Sequence, residues 1–232
     1  MDGYSRQIIY LAAEQDNTSL TALQLFVDGV SQYGVPSRVR GDHGSENVRI
    51  SDFMILARGL DRGSFITGRS VHNTRIERLW AEVNRCVTHQ FKTFFRWMED
   101  YGYLNQNSDL DLWALSYVFL PRIQASLRQF VVMWNFHSLS SAGNRTPSEL
   151  WTTAMMRGEG PQEVPYQPTA AELGLEDAEL VTRNHVVVPR NIELSDAQMA
   201  QIRHYVPHPE QEDGYQGLQH YLTVKEILPT IL

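Results

Sequence analysis

Cysteine is nearly absent. Cys86 is the single one in 232 residues, which excludes a disulfide or a cysteine-based zinc site within one chain. Long apolar runs are missing too. The longest, WALSYVFL and FVVMW, fall far short of the ~20 residues that span a bilayer, so no membrane partner is expected. The opening residues carry neither a basic start nor an apolar segment, so no secretory leader is expected. With the cysteine count, this points to an intracellular, reducing compartment and not to secretion. Internal repeats and low-complexity tracts are lacking. Wholesale disorder is excluded by what is present, since 42% apolar and 10% aromatic residues are enough for a packed core.

Lysine is scarce, and the charge is unevenly spread. The net charge is −7, which alone argues against a polyanionic partner. Residues 158–232 hold 12 acidic and 4 basic side chains, a local −8, whereas residues 1–157 hold 15 acidic and 16 basic, near +1. Of those 16, 15 are arginine, whose planar fork suits phosphate. A local patch and not the sum decides whether nucleic acid binds, so DNA stays open as a partner.

The first 70 residues alternate strand and helix signals. QIIYLAA (residues 7–13) is a short apolar run between turn residues and predicts a strand. Asn17 or Thr18 caps a helix with apolar residues at Leu20, Leu23, Phe26, Val27 and Val30, ended by Gly34 and Pro36. A strand through Val39 stops at Asp42-His43-Gly44; ENVRISDFMILARG predicts a helix and SFITG (residues 64–68) another strand. That order argues for an α/β layered fold. Residues 73–101 then keep helical spacing, and a second long helix runs over about residues 109–136, with Pro121 expected to kink or divide it. RTPSELW starts a further helix with Thr146 as cap, Pro147 in the first turn and Glu149 completing a capping box. GEGPQEVPYQP, from Gly158, reads as a linker. Beyond it lie a Thr169-to-Glu172 capping box, a HVVVP strand candidate, a Ser195-capped helix and a final apolar LTVKEILPTIL. A core domain over 1–157 and an acidic extension over 158–232 are therefore expected, the extension small and α/β or irregular.

Two carboxylates stand out by position. Taken alone, Asp42 reads as a turn residue, and Glu77 as a carboxylate favouring the positive end of a helix. At ~100° per residue, Ile76, Leu79, Trp80, Val83 and Val87 form a buried stripe, with Asn73, Glu77, Ala81 and Asn84 along its edge. Carboxylates converging from two elements make a hard-cation site of oxygen ligands, and two such ions stabilise in-line phosphoryl displacement.

RVRGDHGSEN, followed 35 positions from Asp42 by Glu77 within GRSVHNTRIERLW, resembles the integrase core of the Asp-Asp-Glu retroviral integrase and transposase superfamily. It is most similar to the integrase-core proteins derived from transposable elements in eukaryotic genomes. DGYSRQIIYL, FLPRI, WNFHSL and NRTPSELW match later segments of that group, over about residues 1–157. The resemblance implies a ribonuclease-H-like core that cuts and joins DNA with two Mg²⁺ or Mn²⁺ ions. By the same resemblance, Asp42 and Glu77 are the catalytic and metal-binding carboxylates. It further implies a DNA partner, a homo-oligomer and a nuclear location. Arg38, Arg40, His72, Asn73, Arg75, Arg78 and Arg85 are the DNA-binding candidates.

In that alignment the family's first catalytic Asp has no counterpart. Asp2 falls in the turn between the second and third strands, and Asp-Gly is a hairpin signal. The expectation is therefore a core truncated at its start, with an exposed sheet edge and impaired catalysis. The alternative is a non-catalytic DNA- or protein-binding module retained from a transposon. Other features carry less. His204 and His208 are separated by the helix-breaking Pro207. Phe91, Phe94, Phe95 and Trp97 read as core or a helix–helix interface, and Cys86, near the buried stripe, as a small hydrophobe.

Overall fold

The structure, a computed structural model, describes residues 1–68, 74–161, 163–164, 166–169, 171–173, 175 and 192–232. In chain order the elements are helix α1 (Ser19–Tyr33), strand β1 (Val39–Gly41), helix α2 (Val48–Arg58), strand β2 (Phe65–Thr67) and helix α3 (Thr74–Val83). A π-helical turn (Asn84–Thr88) leads into α4 (His89–Asp100), followed by α5 (Asp109–Phe136), α6 (Pro147–Met156), α7 (Asp196–Tyr205) and α8 (Leu218–Ile231). They form two compact units, Met1–Ala81 with Val131–Val181, and Glu82–Phe130 with Thr182–Leu232. Among the described residues no helix is long and apolar enough to cross a membrane.

In the first unit β1 and β2 pair in parallel, with Val39 opposite Phe65 and Gly41 opposite Thr67. Parallel strands need a crossover, and α2 supplies it. Thr18 caps α1 by accepting from the Thr21 N–H. Gly34 ends the helix at φ +81°, with its N–H on the Val30 carbonyl. Leu23 and Phe26 of α1 meet Ile50, Phe53, Met54 and Ala57 of α2 in one buried cluster. Phe26 and Phe53 make an edge-to-face pair at 5.3 Å. Arg58 is 5% exposed, yet donates to the carbonyls of Val35 (2.6 Å), Pro36 (3.2 Å) and Glu163 (3.3 Å). Those acceptors satisfy a buried cation that would otherwise be costly.

Two expectations need correction. Residues 7–13 are irregular and do not form a strand. No strand pairs with them among the described residues; instead the Asn135 carboxamide serves Ile8. It accepts from the Ile8 N–H at 2.8 Å and donates to the Ile8 carbonyl at 3.2 Å, as a neighbouring strand would. Trp80 lies outside the buried stripe at 54% exposure, because the seam narrows to Leu79, Val83 and Val87, spaced by four. At Pro121, where a kink or a division was expected, α5 is not divided. Phe119 and Arg122, buried on either side of it, supply tertiary contacts that offset the ~3 kcal/mol a proline costs in a helix interior.

The second unit is helical. Trp113, Tyr117, Val118 and Phe119 of α5 pack with Ile202 of α7 and Tyr221, Val224 and Leu228 of α8. Phe94 and Phe95, partly buried, close on Phe119 at 5.8 and 5.0 Å, the packing role expected of them, whereas Trp97 is 36% exposed. Arg122, 7% exposed, donates to the carbonyls of Pro209 (2.7 Å) and Gln211 and lies 3.9 Å from Asp213. Asp213 in turn accepts from the N–H groups of Gly217 (2.7 Å), Gln219 (3.0 Å) and His220 (3.3 Å), capping α8. The Asp213 carboxyl is held below its ordinary range: burial opposes this, but those N–H bonds and Arg122 outweigh it. The capping boxes at Thr146–Glu149 and Ser195–Gln198 form, as does the Thr169–Glu172 pair. HVVVP lies outside the described residues.

Candidate nucleic-acid interface

Asp42 lies one residue past β1 and is exposed. Its Oδ1 accepts from Asn47 Nδ2 at 2.8 Å and from the Gly44 N–H at 3.3 Å. Gly41 makes that reach possible: a Cβ there would stand 3.3 Å from Asn47 Cγ and 3.1 Å from Phe65 Cζ. Glu77 sits in the first turn of α3 and is exposed. Asp2 is a turn residue, as expected. Its Oδ2 accepts from the N–H groups of Tyr4 (3.1 Å) and Ser5 (2.6 Å) and from Ser5 Oγ (2.7 Å).

A divalent-cation centre needs several oxygen ligands held together. Asp42 and Glu77 have the right chemistry, but Asp42 already has two donors. Among the described residues no group of three His, Cys, Asp or Glu side chains is placed to hold a metal ion. The residues present therefore do not fit a two-ion centre by themselves.

The arginines gather better than the carboxylates. An open cleft of about 1110 Å³ within the first unit is lined by Arg38, Arg40, Arg58, Arg62 and Arg75, against Asp2 and Glu159 as its acidic members. One wall is the irregular segment at Ile9 and Tyr10; the other is β1 at Val39 and Arg40. Val39 donates to the Ser64 carbonyl at 2.8 Å and Gly41 accepts from the Gly68 N–H at 3.3 Å, which leaves the Arg40 peptide groups on the edge of β1 away from β2. Arg38, Arg40 and Arg75 are exposed. Arg75 reaches the Gly3 carbonyl, and Arg62 donates to Ser37 Oγ at 3.4 Å. Two further candidates stand apart from this cleft: Arg78 is exposed but outside its lining, and Arg85, in the second unit, pairs with Glu82 at 2.6 Å. His72 and Asn73 lie outside the described residues.

Four features of the cleft escaped the sequence reading. Arg62 follows Arg58 by four residues, in the turn just past the end of α2, a spacing that was visible. Tyr10, Tyr33 and Trp151 carry no local signal, because they meet only through the fold. Tyr33 and Trp151 pair edge to face at 5.6 Å, and Tyr10 rests against Gly29, where a Cβ would stand 2.9 Å from Tyr10 Cδ1.

The match to known families decides what this chain is. The family model described as integrase core domain matches residues 1–164 of the 232. The chain belongs to the integrase core domain family. Membership brings a ribonuclease-H-like α/β core, integrase- or transposase-like function in general terms, nucleic acid as partner and the family's typical use of divalent metals. The parallel β1–α2–β2 arrangement agrees with such a core, although this integrase-core chain is mostly helical with few strands. No curated protein and no solved structure matches the chain.

Proposed function

We propose that this chain is a nucleic-acid-binding integrase core whose strand-cleaving and strand-joining chemistry is impaired. The observation that carries the reading is the arginine cleft. Five arginines face two acids there in a chain of net charge −7, and such a local field attracts a polyanion despite the overall sign. Arg38, Arg40 and Arg75 are the phosphate contacts, with Arg62 beside them. Arg58 supports the wall, because its guanidinium is held by main-chain carbonyls. Arg78 is an exposed cation outside the cleft lining, and Arg85 is paired with Glu82.

Impairment follows from the carboxylates. Asp42 and Glu77 are the ancestral metal ligands in this reading, and the Asp2 carboxylate is engaged by its own turn. Two separate carboxylates retain weak affinity for Mg²⁺ or Mn²⁺ but lack the pre-organisation that two-ion catalysis requires. A binding module retained without any catalysis uses the same cleft.

Incubation of the full chain with end-labelled duplex DNA and Mg²⁺ or Mn²⁺ tests the reading. Salt-sensitive binding without nicking or joining is expected. Metal-dependent nicking that disappears in Asp42→Asn and in Glu77→Gln would overturn the impairment.

A further inference from the structure

The same cleft presents a second chemistry that duplex binding leaves unused. Its lining joins Arg38, Arg40, Arg62 and Arg75 with Tyr10 and Trp151, both partly exposed to it. Tyr10 retains 37% exposure with one ring edge on Gly29, and Trp151 is half-buried and paired edge to face with Tyr33, which also lines the cleft. Gly29 matters here, because its missing side chain lets the Tyr10 ring settle on α1 and project into the cleft.

We infer that the cleft takes an unpaired polynucleotide strand, with phosphates on the arginines and bases on Tyr10 and Trp151. This inference rests on the nucleic-acid reading above and narrows its substrate class. A duplex keeps its base faces inside the stack and would offer the aromatic wall nothing. An unpaired strand exposes a π-face at every base, so alternating guanidinium and aromatic groups recognise it without reading sequence. The size agrees. About 1110 Å³ is slightly above the ~300–1,000 Å³ of small-molecule pockets, room for a few unpaired nucleotides.

Fluorescence anisotropy of the full chain tests this with a labelled oligothymidine of about 12 nucleotides, within single-strand site sizes, and a blunt duplex of equal length at matched salt. The oligothymidine should bind more tightly. Tyr10→Leu should weaken it about 5- to 100-fold, as lost stacking of one base implies, while duplex affinity stays unchanged. Tyr10→Phe, which keeps the ring, should retain the preference, and wild-type far-UV circular dichroism in both variants would show that folding is intact. Equal or tighter duplex binding would overturn the inference while leaving nucleic-acid binding standing. So would a single-strand preference that survives Tyr10→Leu. Binding of neither form would remove the nucleic-acid reading as well.

Discussion

Replacing Asn135 by alanine should unfasten the segment that carries Tyr10 from the rest of the first unit. Asn135 is 8% exposed and Ile8 is 1% exposed, so both main-chain groups of Ile8 depend on the carboxamide and not on water. Deleting it leaves one N–H and one carbonyl buried without partners, each costing about 1–3 kcal/mol. The sum of about 2–6 kcal/mol is a large part of the ~5–15 kcal/mol that stabilises a typical domain. The neighbouring bond from Trp134 Nε1 to the Arg6 carbonyl, 2.9 Å, would remain and limit the loss. Urea unfolding followed by circular dichroism gives the total, and amide hydrogen exchange at Ile8 gives the local effect. Asn135→Asp separates the two bonds: the acceptor for the Ile8 N–H survives, but a carboxylate oxygen then faces the Ile8 carbonyl. Ser141→Ala, which removes only the exposed contact to Arg6 at 2.8 Å, serves as the control and should cost under about 0.5 kcal/mol. A loss below that level in Asn135→Ala, with Ile8 exchange unchanged, would refute the strand-substitute role.

Other variants probe the rest of the structure. Arg122→Met removes a buried cation from two carbonyls and Asp213, and should cost about 3–5 kcal/mol, read by thermal unfolding. Asp111 accepts from Lys225 Nζ at 2.6 Å, Tyr221 Oη at 3.1 Å and the Asn105 N–H at 2.8 Å. Burial opposes its ionisation, but Lys225, the Asn105 N–H and the Ser108 hydroxyl hold its carboxyl below the ordinary range. Its contribution to stability is therefore complete above the unfolded value, ~3.9 for a free Asp, and is lost as pH falls through the lower folded value. Asp111→Asn should flatten the acid limb of a stability–pH curve, and an unchanged limb would contradict this. Gly29→Ala presses a methyl group 2.9 Å from Tyr10 Cδ1, so it should destabilise by about 1–3 kcal/mol and shift the Tyr10 ring signals in NMR spectra.

Local chemistry made some elements legible. The caps at Thr18, Thr146 and Ser195 each need only a hydroxyl and a neighbouring N–H, and they formed as their sequences indicate. β1 and β2 were visible as apolar pieces between turn residues. Residues 7–13 had the same appearance, but a strand needs a partner, and pairing is not a local property. What holds Ile8 is a side chain 127 positions away. Trp80 shows a similar limit: spacing placed it in the stripe, whereas the width of the buried seam depends on what the helix meets. In the site, Arg38, Arg40 and Arg75 were legible as cations in family motifs. Their convergence with Tyr10 and Trp151 was not, since these residues lie far apart along the chain.

The salt dependence of DNA affinity tests the central claim most directly. Each phosphate contact contributes about 0.9 to the slope of log K against log salt for duplex DNA. Replacing Arg38, Arg40 and Arg75 together by glutamine should therefore make the slope shallower by about 2.7, that is, three contacts at about 0.9 each. It should also weaken binding similarly across sequences. A triple variant with the wild-type slope and affinity would contradict the account, because the phosphates would then be bound elsewhere.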